Sequence, residues 1–234
     1  STWSISAACN VAVLARQWRR CAMVALASLA LGLAATAVGA QGRPDLVWAE
    51  AGHSSEATGL DISPDGTLLA TSSGDATLKL WRYPQRRLLR TLVLPYRIDG
   101  QVMEIRQVRF TPDGAYAVAA VNQYDATNQG SPEFATVRVF RVSDGALVRS
   151  FGRQSGSIAA IDISPDGAWL ATAGQPGGVK VWQLADGQLV KSLDDVPGAA
   201  ADVHFAPGGG RLGAGYGNGH LASWKTGSWQ LEWD

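Results

Sequence analysis

The hexapeptide DISPDG occurs twice in this chain, at residues 61–66 and again at residues 162–167. Two related tetrapeptides stand at comparable places, TPDG at 111–114 and APGG at 206–209. In three of these four cases an aromatic residue follows the proline at the same distance, as Trp81, Trp182 and Trp224. A motif that recurs together with its flanking pattern indicates a structural repeat rather than a site of chemistry.

The base period of the repeat is the interval between the prolines of the last two motifs, Pro165 and Pro207. The two earlier intervals, from Pro64 to Pro112 and from Pro112 to Pro165, are longer, and the aromatic residue of the second unit is displaced to Phe140. We therefore predict a short insertion within LPYRIDGQVMEI (94–105) and a longer one within NQYDATNQGSPEFA (122–135).

Each unit has the pattern of four short strands. In the first unit the apolar and β-branched runs are ATGLDI, TLLATSS, TLKLW and RLLRTLV. Pro-Asp-Gly between the first two runs favours a tight turn, because proline fixes φ and glycine accepts a positive φ. The sequence therefore predicts an all-β fold, a β-propeller with about four blades, each a four-stranded antiparallel sheet. The predicted blades lie near residues 54–93, 104–151, 157–193 and 199–233.

The first unit resembles the WD-repeat β-propeller family, through Gly52-His53 at its start, the SPDG turn, and then Thr71, Asp75 and Trp81. The resemblance implies that His53, Thr71, Asp75 and Trp81 form a hydrogen-bonded structural network inside the blade. Arg82 replaces the Asp of the family's WD dipeptide.

The later units depart further from the family pattern. The third unit has Gln154 and Pro176, and the fourth has Val196 and Asn218, at the places of His53 and Asp75. We therefore expect these later blades to depend on apolar packing alone.

Residues 1–40 have a different composition from the rest. They contain Arg16, Arg19 and Arg20 but no acidic residue, then an uncharged apolar run over 21–38, and end in Val38-Gly39-Ala40. A basic flank, an apolar stretch and a small-residue exit are typical of a secretory signal peptide. We expect cleavage after Ala40 and an exported protein of bacterial type, either periplasmic or secreted. An uncleaved membrane anchor is the alternative, and it would be the chain's one contact with a membrane.

Charge and cysteine content exclude several functions for residues 41–234. Acidic side chains outnumber basic ones in this part, whereas a nucleic-acid-binding surface is markedly basic. Both cysteines, Cys9 and Cys21, lie within 1–40, so disulfides and thiolate metal sites are excluded after Ala40. We predict a protein partner and no nucleic acid.

Residues 46–66 align without gaps to residues 147–167, which begin with an outermost strand. The alignment predicts a strand at 46–50 that belongs to the edge of a further blade. We therefore expect the chain to be part of a ring of seven or eight blades, with the remaining blades or a fused C-terminal domain beyond Asp234. A complete ring of four blades with a spare strand is the alternative.

The two insertions are the predicted partner-binding loops. In four-stranded blades both would emerge on the same face, opposite the Pro-Asp-Gly turns. Long loops on a rigid scaffold are common recognition sites, and aromatic and Arg side chains are favoured in protein contacts. The candidate binding residues are Tyr96, Arg97, Tyr124, Asn128, Glu133 and Phe134. A variable loop without function is the alternative.

Four polar residues occupy the same position in the innermost strands, each between two apolar residues: Asp61, Arg109, Asp162 and His204. Period-two alternation places them on equivalent inner positions. They are interpreted either as charges paired between neighbouring blades or as the lining of a central channel that binds a small ligand.

No residue pattern points to an enzyme. His53, His204 and His220 lack the spacing of a metal site, and the chain has neither a nucleophile elbow nor a phosphate-binding loop. We therefore predict no metal and no cofactor, and a non-catalytic, protein-binding scaffold or regulatory domain. The alternative is an exported propeller enzyme, a lactonase-like hydrolase or quinoprotein-like oxidoreductase, whose site needs other blades.

Overall fold

The computed structural model describes residues 52–94, 97–98, 101–125 and 132–233. All regular secondary structure in these ranges is β, and it forms four separate antiparallel sheets. The predicted all-β propeller of antiparallel blades is thereby confirmed. The described residues include no helix with the length and apolar character needed to cross a membrane. The predicted signal peptide and the strand at 46–50 lie outside the described residues.

The first, third and fourth sheets have four strands each and the second has five, and in every sheet the strands follow the order of the sequence. The first contains β1 (Ala57–Ile62), β2 (Leu68–Ser73), β3 (Thr77–Arg82) and β4 (Arg87–Val93). The second sheet has five strands: β5 (Arg97–Ile98), β6 (Gln101–Phe110), β7 (Tyr116–Asp125), β8 (Phe134–Arg141) and β9 (Leu147–Ser155). The third contains β10 (Ser157–Ile163), β11 (Trp169–Gln175), β12 (Val179–Gln183) and β13 (Leu189–Leu193). The fourth contains β14 (Ala200–Phe205), β15 (Arg211–Tyr216), β16 (Leu221–Lys225) and β17 (Gln230–Trp233).

The Pro-Asp-Gly turns connect the first two strands of each blade by hydrogen bonds within the motif. In the first, the Ser63 hydroxyl donates to Asp65 at 2.6 Å and accepts from the backbone N–H of Leu68 at 2.8 Å. Gly66 has a φ of +70°, the left-handed conformation that glycine adopts without a Cβ penalty. Ser164 and Asp166 repeat this pattern in the third sheet. DISPDG is therefore a strand end and a turn.

Neighbouring sheets pack face to face through three hydrophobic clusters, one at each junction. The cluster between the first two sheets includes Leu78, Leu80, Ile105 and Val108. The next joins Val118 and Val137 to Ile161 and Leu170. The last joins Val179 and Val181 to Val203 and Trp224. Apolar packing between sheets thus orders the repeats along the chain.

The first sheet exposes the positions that the other sheets bury. Leu60 and Ile62 of β1 are 63% and 44% exposed. Their equivalents in the innermost strands are at most 9% exposed: Val108, Phe110, Ile161, Ile163, Val203 and Phe205. In each later sheet these residues pack against the preceding sheet. The expected ring of seven or eight blades remains a prediction.

The prediction that the third and fourth blades depend on apolar packing alone is wrong. In the third sheet the indole N–H of Trp182 donates to the Thr172 hydroxyl at 3.0 Å. In the fourth, the indole N–H of Trp224 donates to Asp195 at 3.0 Å. A buried indole N–H without an acceptor would be costly, so both of these blades supply one although neither has the His and Asp of the family network.

Candidate functional site

The second sheet differs from the others at one end. Strands β6 and β7 have 10 residues each, and their pairing continues from Phe110↔Ala117 to Gln101↔Asp125. The connections β2–β3, β7–β8, β11–β12 and β15–β16 emerge at this end of the sheets. We call this side the loop face, and the opposite side, which carries the Pro-Asp-Gly turns, the turn face.

Three residues assigned to loops from the sequence lie in strands. Tyr124 is in β7, Phe134 begins β8, and Arg97 is in the short strand β5. The inserted residues extend the ladder because pairing satisfies their backbone N–H and C=O groups, which long loops leave to water. The β5–β6 pairing could have been predicted from the sequence. Asp-Gly is typical of a two-residue hairpin turn, and Asp99-Gly100 stands between the paired residues Ile98 and Gln101.

Tyr124 is fixed by a charged neighbour across the hairpin. Its hydroxyl donates to Glu104 Oε2 at 2.6 Å, and Arg106 Nη1 lies 3.6 Å from Glu104 Oε1. Burial, together with the hydrogen bond to Glu104, raises the pKa of Tyr124 to about 12. The phenol therefore stays protonated at physiological pH and holds one orientation.

Phe134 lies beneath a cation that the sequence interpretation missed. The guanidinium carbon of Arg153, in β9, lies 4.1 Å from the centroid of the Phe134 ring. Arg153 is exposed, so this cation–π pair presents both charge and apolar surface on the loop face. The sequence could not reveal the pair, because a register shift in the β8–β9 ladder separates Ala135 from Val137.

Glu133 closes the β7–β8 connection. Its N–H donates to Gln123 at 2.8 Å, and its carbonyl accepts from the N–H of Gly156 at 3.1 Å. These bonds connect the insertion to the start of the third sheet. Tyr96 and Asn128, the remaining predicted binding residues, lie outside the described residues.

A shallow depression of about 660 Å³ lies beside this region on the loop face. Its lining includes Pro132, Gly156, Gln175, Pro176 and Gly198. A Cβ at Gly156 would collide with the carbonyl oxygen of Gln175, and Gly156 has a φ of +79°. Glycine is required here so that the connections of the second and third sheets can approach each other.

The structure brings His53, Thr71, Asp75 and Trp81 together. Thr71 Oγ1 lies 2.8 Å from His53 Nε2 and accepts from the indole N–H of Trp81 at 3.0 Å. His53 Nδ1 lies 2.9 Å from the hydroxyl of Thr77 and 3.3 Å from Asp75 Oδ2. These side chains satisfy one another and leave no group directed at a substrate, which suits a structural role.

Three of the four innermost polar residues contact one another, and Asp61 contacts the backbone of the next sheet. Asp61 Oδ2 accepts from the N–H of Phe110 at 2.7 Å, and Asp162 Oδ2 accepts from the N–H of Phe205 at 2.7 Å. Arg109 Nε lies 3.6 Å from Asp162 Oδ1, and His204 Nδ1 lies 3.7 Å from Asp162 Oδ2. Each contact crosses from one sheet to the next. This geometry favours pairing between blades over ligand binding in a channel.

The described ranges contain no set of side chains that could bind a metal ion. No group of three or more His, Cys, Asp or Glu side chains there is placed to hold a metal ion.

The family model described as WD domain, G-beta repeat, matches residues 45–82 and 145–183. These matches, together with the four-sheet architecture, support a WD-repeat β-propeller. The computationally designed Ika4 protein has a similar fold, with a TM-score of 0.59 at 21% identity over 75% of this chain and 94% of that chain.

Two similar eukaryotic proteins extend beyond this chain. Eukaryotic translation initiation factor 3 subunit I of Candida albicans is 27% identical over 126 residues, which cover 54% of this chain and 32% of that protein. Protein HIR1 of Cryptococcus neoformans is 32% identical over 68 residues, which cover 29% of this chain and 8% of that protein. The matched regions thus span about a third or less of these relatives.

Proposed function

We propose that the chain is a non-catalytic scaffold whose loop face binds a protein partner. The observation that carries this proposal is the Phe134–Arg153 cation–π pair, in which the exposed Arg153 covers a half-buried ring on two paired strands beside a depression of about 660 Å³. Aromatic and Arg side chains held rigid before binding lose little conformational entropy in a complex. The related proteins, a subunit of a translation initiation factor among them, agree with a role in assemblies.

A charge reversal at Arg153 tests this face. We expect Arg153→Glu to reduce partner capture about tenfold, because it removes the cation–π pair and reverses an exposed charge of the loop face. Purified tagged protein would be incubated with lysate of the source organism, and captured proteins would be quantified by mass spectrometry. Lys191→Glu is the matched control, since Lys191 is an exposed cation on the outer strand β13.

Proteins that wild type enriches should be lost with Arg153→Glu and kept with Lys191→Glu. Equal capture by the two variants would contradict the assignment of the loop face. The thermal unfolding midpoint of Arg153→Glu should stay close to that of wild type, because exposed side chains contribute little to stability.

We also propose that residues 1–40 direct export. The support is their sequence: three Arg before the apolar run 21–38 and small residues at its end. Residues 1–45 fused to alkaline phosphatase, which is active only after export, should give activity in bacterial cells. Leu29→Arg in the centre of the run should abolish this activity, and activity that survives the substitution would argue against a signal peptide.

A further inference from the structure

A groove of about 320 Å³ runs between the first two sheets at their outer strands. The groove lies in the side wall, away from the depression on the loop face. One wall is Leu92, Val93 and Leu94 from the end of β4, and the other includes Phe140 and Leu147 of the second sheet. Among the described residues, Arg138 of β8 contributes the only charged side chain of the lining. We call this feature the β4–β8 groove.

Within the described chain, Arg138 lacks the partner that a half-buried cation needs. Its Nη2 lies 3.7 Å from the Met103 sulfur, and its Nε is buried without a hydrogen-bond acceptor there. The hydroxyl of Thr136, two residues earlier in β8, is also buried without a partner in the described ranges. Burial removes part of the hydration of the guanidinium and thereby lowers the pKa of Arg138 from its usual value. A desolvated guanidinium is stabilised by a carboxylate.

The walls of the groove indicate what would carry that carboxylate. Leu147 is 49% exposed, so the rim presents an apolar side chain to solvent beside Arg138. Leu92, Leu94 and Phe140 form a buried apolar base. A ligand that fits has one negative charge for Arg138 and an adjacent aliphatic group for Leu147, spaced as on an extended strand.

We propose that the β4–β8 groove binds an extended peptide segment in which a Glu or Asp is flanked by aliphatic residues. The carboxylate pairs with Arg138, and a flanking aliphatic side chain covers Leu147. Charge complementarity carries this choice, because the described lining has a cation and no acidic side chain. A peptide longer than the groove would continue over the outer strands, where Leu89 and Val148 are also partly exposed.

A pair of peptides tests the carboxylate. The probes are two fluorescein-labelled hexapeptides, Gly-Leu-Glu-Leu-Val-Gly and its neutral counterpart with Gln in place of Glu. Binding to the full chain would be measured by fluorescence anisotropy at low and high salt. We expect the Glu peptide to bind about tenfold or more tightly than the Gln peptide, and this preference to shrink as salt screens the charges.

Substitutions at Arg138 assign the effect to this residue. Arg138→Gln should remove the preference for the Glu peptide, and Arg138→Lys should retain part of it. Lys180→Gln is the matched control, because Lys180 precedes Trp182 by two residues as Arg138 precedes Phe140. Circular dichroism and tryptophan fluorescence would show that each variant is folded.

Three outcomes overturn the proposal. They are equal affinity of the two peptides for wild type, a preference that survives Arg138→Gln, and no binding of either peptide at millimolar concentration. The alternative in which an internal water satisfies Arg138 predicts the first or third of these, with a more stable Arg138→Met variant. None of these results bears on partner capture by the loop face, which Arg153 tests separately.

Discussion

Asp75→Ala should lower the free energy of unfolding by about 3 kcal/mol. The carboxylate, 8% exposed, accepts hydrogen bonds from the N–H and hydroxyl of Thr77 at 2.9 and 2.6 Å and from the N–H of Ser54 at 2.8 Å. Removing it leaves these donors without their acceptor in a largely buried site, and the Thr77 hydroxyl remains as a partner of His53 Nδ1. Urea unfolding followed by tryptophan fluorescence would measure the change.

Asp186→Ala is the matched control for this prediction. Asp186 is also a turn aspartate, but it is exposed and accepts one backbone hydrogen bond, from Gln188 at 2.9 Å. Its removal should cost less than about 1 kcal/mol. A similar loss in both variants would show that the first-blade network adds nothing beyond an ordinary turn.

The same network makes stability depend on pH through two groups. Burial alone would raise the pKa of Asp75, but the hydrogen bonds from Thr77 and Ser54 and the nearby His53 hold it at about 2. Burial lowers the pKa of His53 below 6.5, against the opposing effect of Asp75. The contacts explain a neutral imidazole: Thr71 can donate to Nε2, while Nδ1–H donates to the Thr77 hydroxyl or Asp75.

Both shifts act in the same direction. A pKa that is lower in the folded state than in the unfolded state means that unfolding takes up protons, so acid destabilises the fold. The contribution of His53 is present above pH 6.5 and is lost as the pH falls through its folded pKa. The difference in unfolding free energy between wild type and His53→Gln should therefore shrink from pH 7 to pH 5.

Most of the fold could be predicted from the periodicity of the sequence. Each Pro-Asp-Gly turn contains its own hydrogen bonds, as between Ser63 and Asp65, so its signal is local and readable. In three of the four units a tryptophan follows the turn at a constant distance, and by the alternation of β-strands Trp182 and Trp224 pack against the preceding sheet. A local motif and a fixed spacing together determined the number of sheets and their antiparallel order.

Interactions that connect different repeats were not predictable in the same way. Asp195 accepts from Trp224 although it stands in a connection outside the periodic pattern. Asn122, 3% exposed, accepts from the N–H of Ile158 at 2.9 Å and donates to its carbonyl at 3.2 Å. Such pairs depend on which backbone groups remain unpaired at a junction, and a single sequence does not give this information.

The candidate face was predicted in outline only. The insertions marked the second sheet, but their residues were expected in loops, whereas Tyr124 and Phe134 are in strands. Arg153 could be found only from the cross-strand register, which a bulge shifts.

Asp162→Ala should also lower the free energy of unfolding by about 3 kcal/mol, through the junction between the third and fourth sheets. Its carboxylate accepts from the N–H of Phe205, a residue 8% exposed, and lies 3.6 Å from the cation of Arg109. The substitution leaves the buried N–H of Phe205 without its acceptor and removes the carboxylate that lies beside the Arg109 cation. Thermal and urea unfolding of the two proteins would measure the loss.

Asp162→Asn separates the hydrogen bond from the charge. The amide oxygen can still accept from Phe205, so this variant should retain more than half of the stability that Asp162→Ala loses. Asp202→Ala is the control for an exposed carboxylate near His204, because the Asp202 side chain is 59% exposed and accepts from the N–H of Val203 in its own strand rather than across a sheet junction. If the free energy of unfolding of Asp162→Ala lies within about 0.5 kcal/mol of the wild-type value, the innermost charges do not hold the blades together. That result would favour the interpretation of these residues as a channel lining.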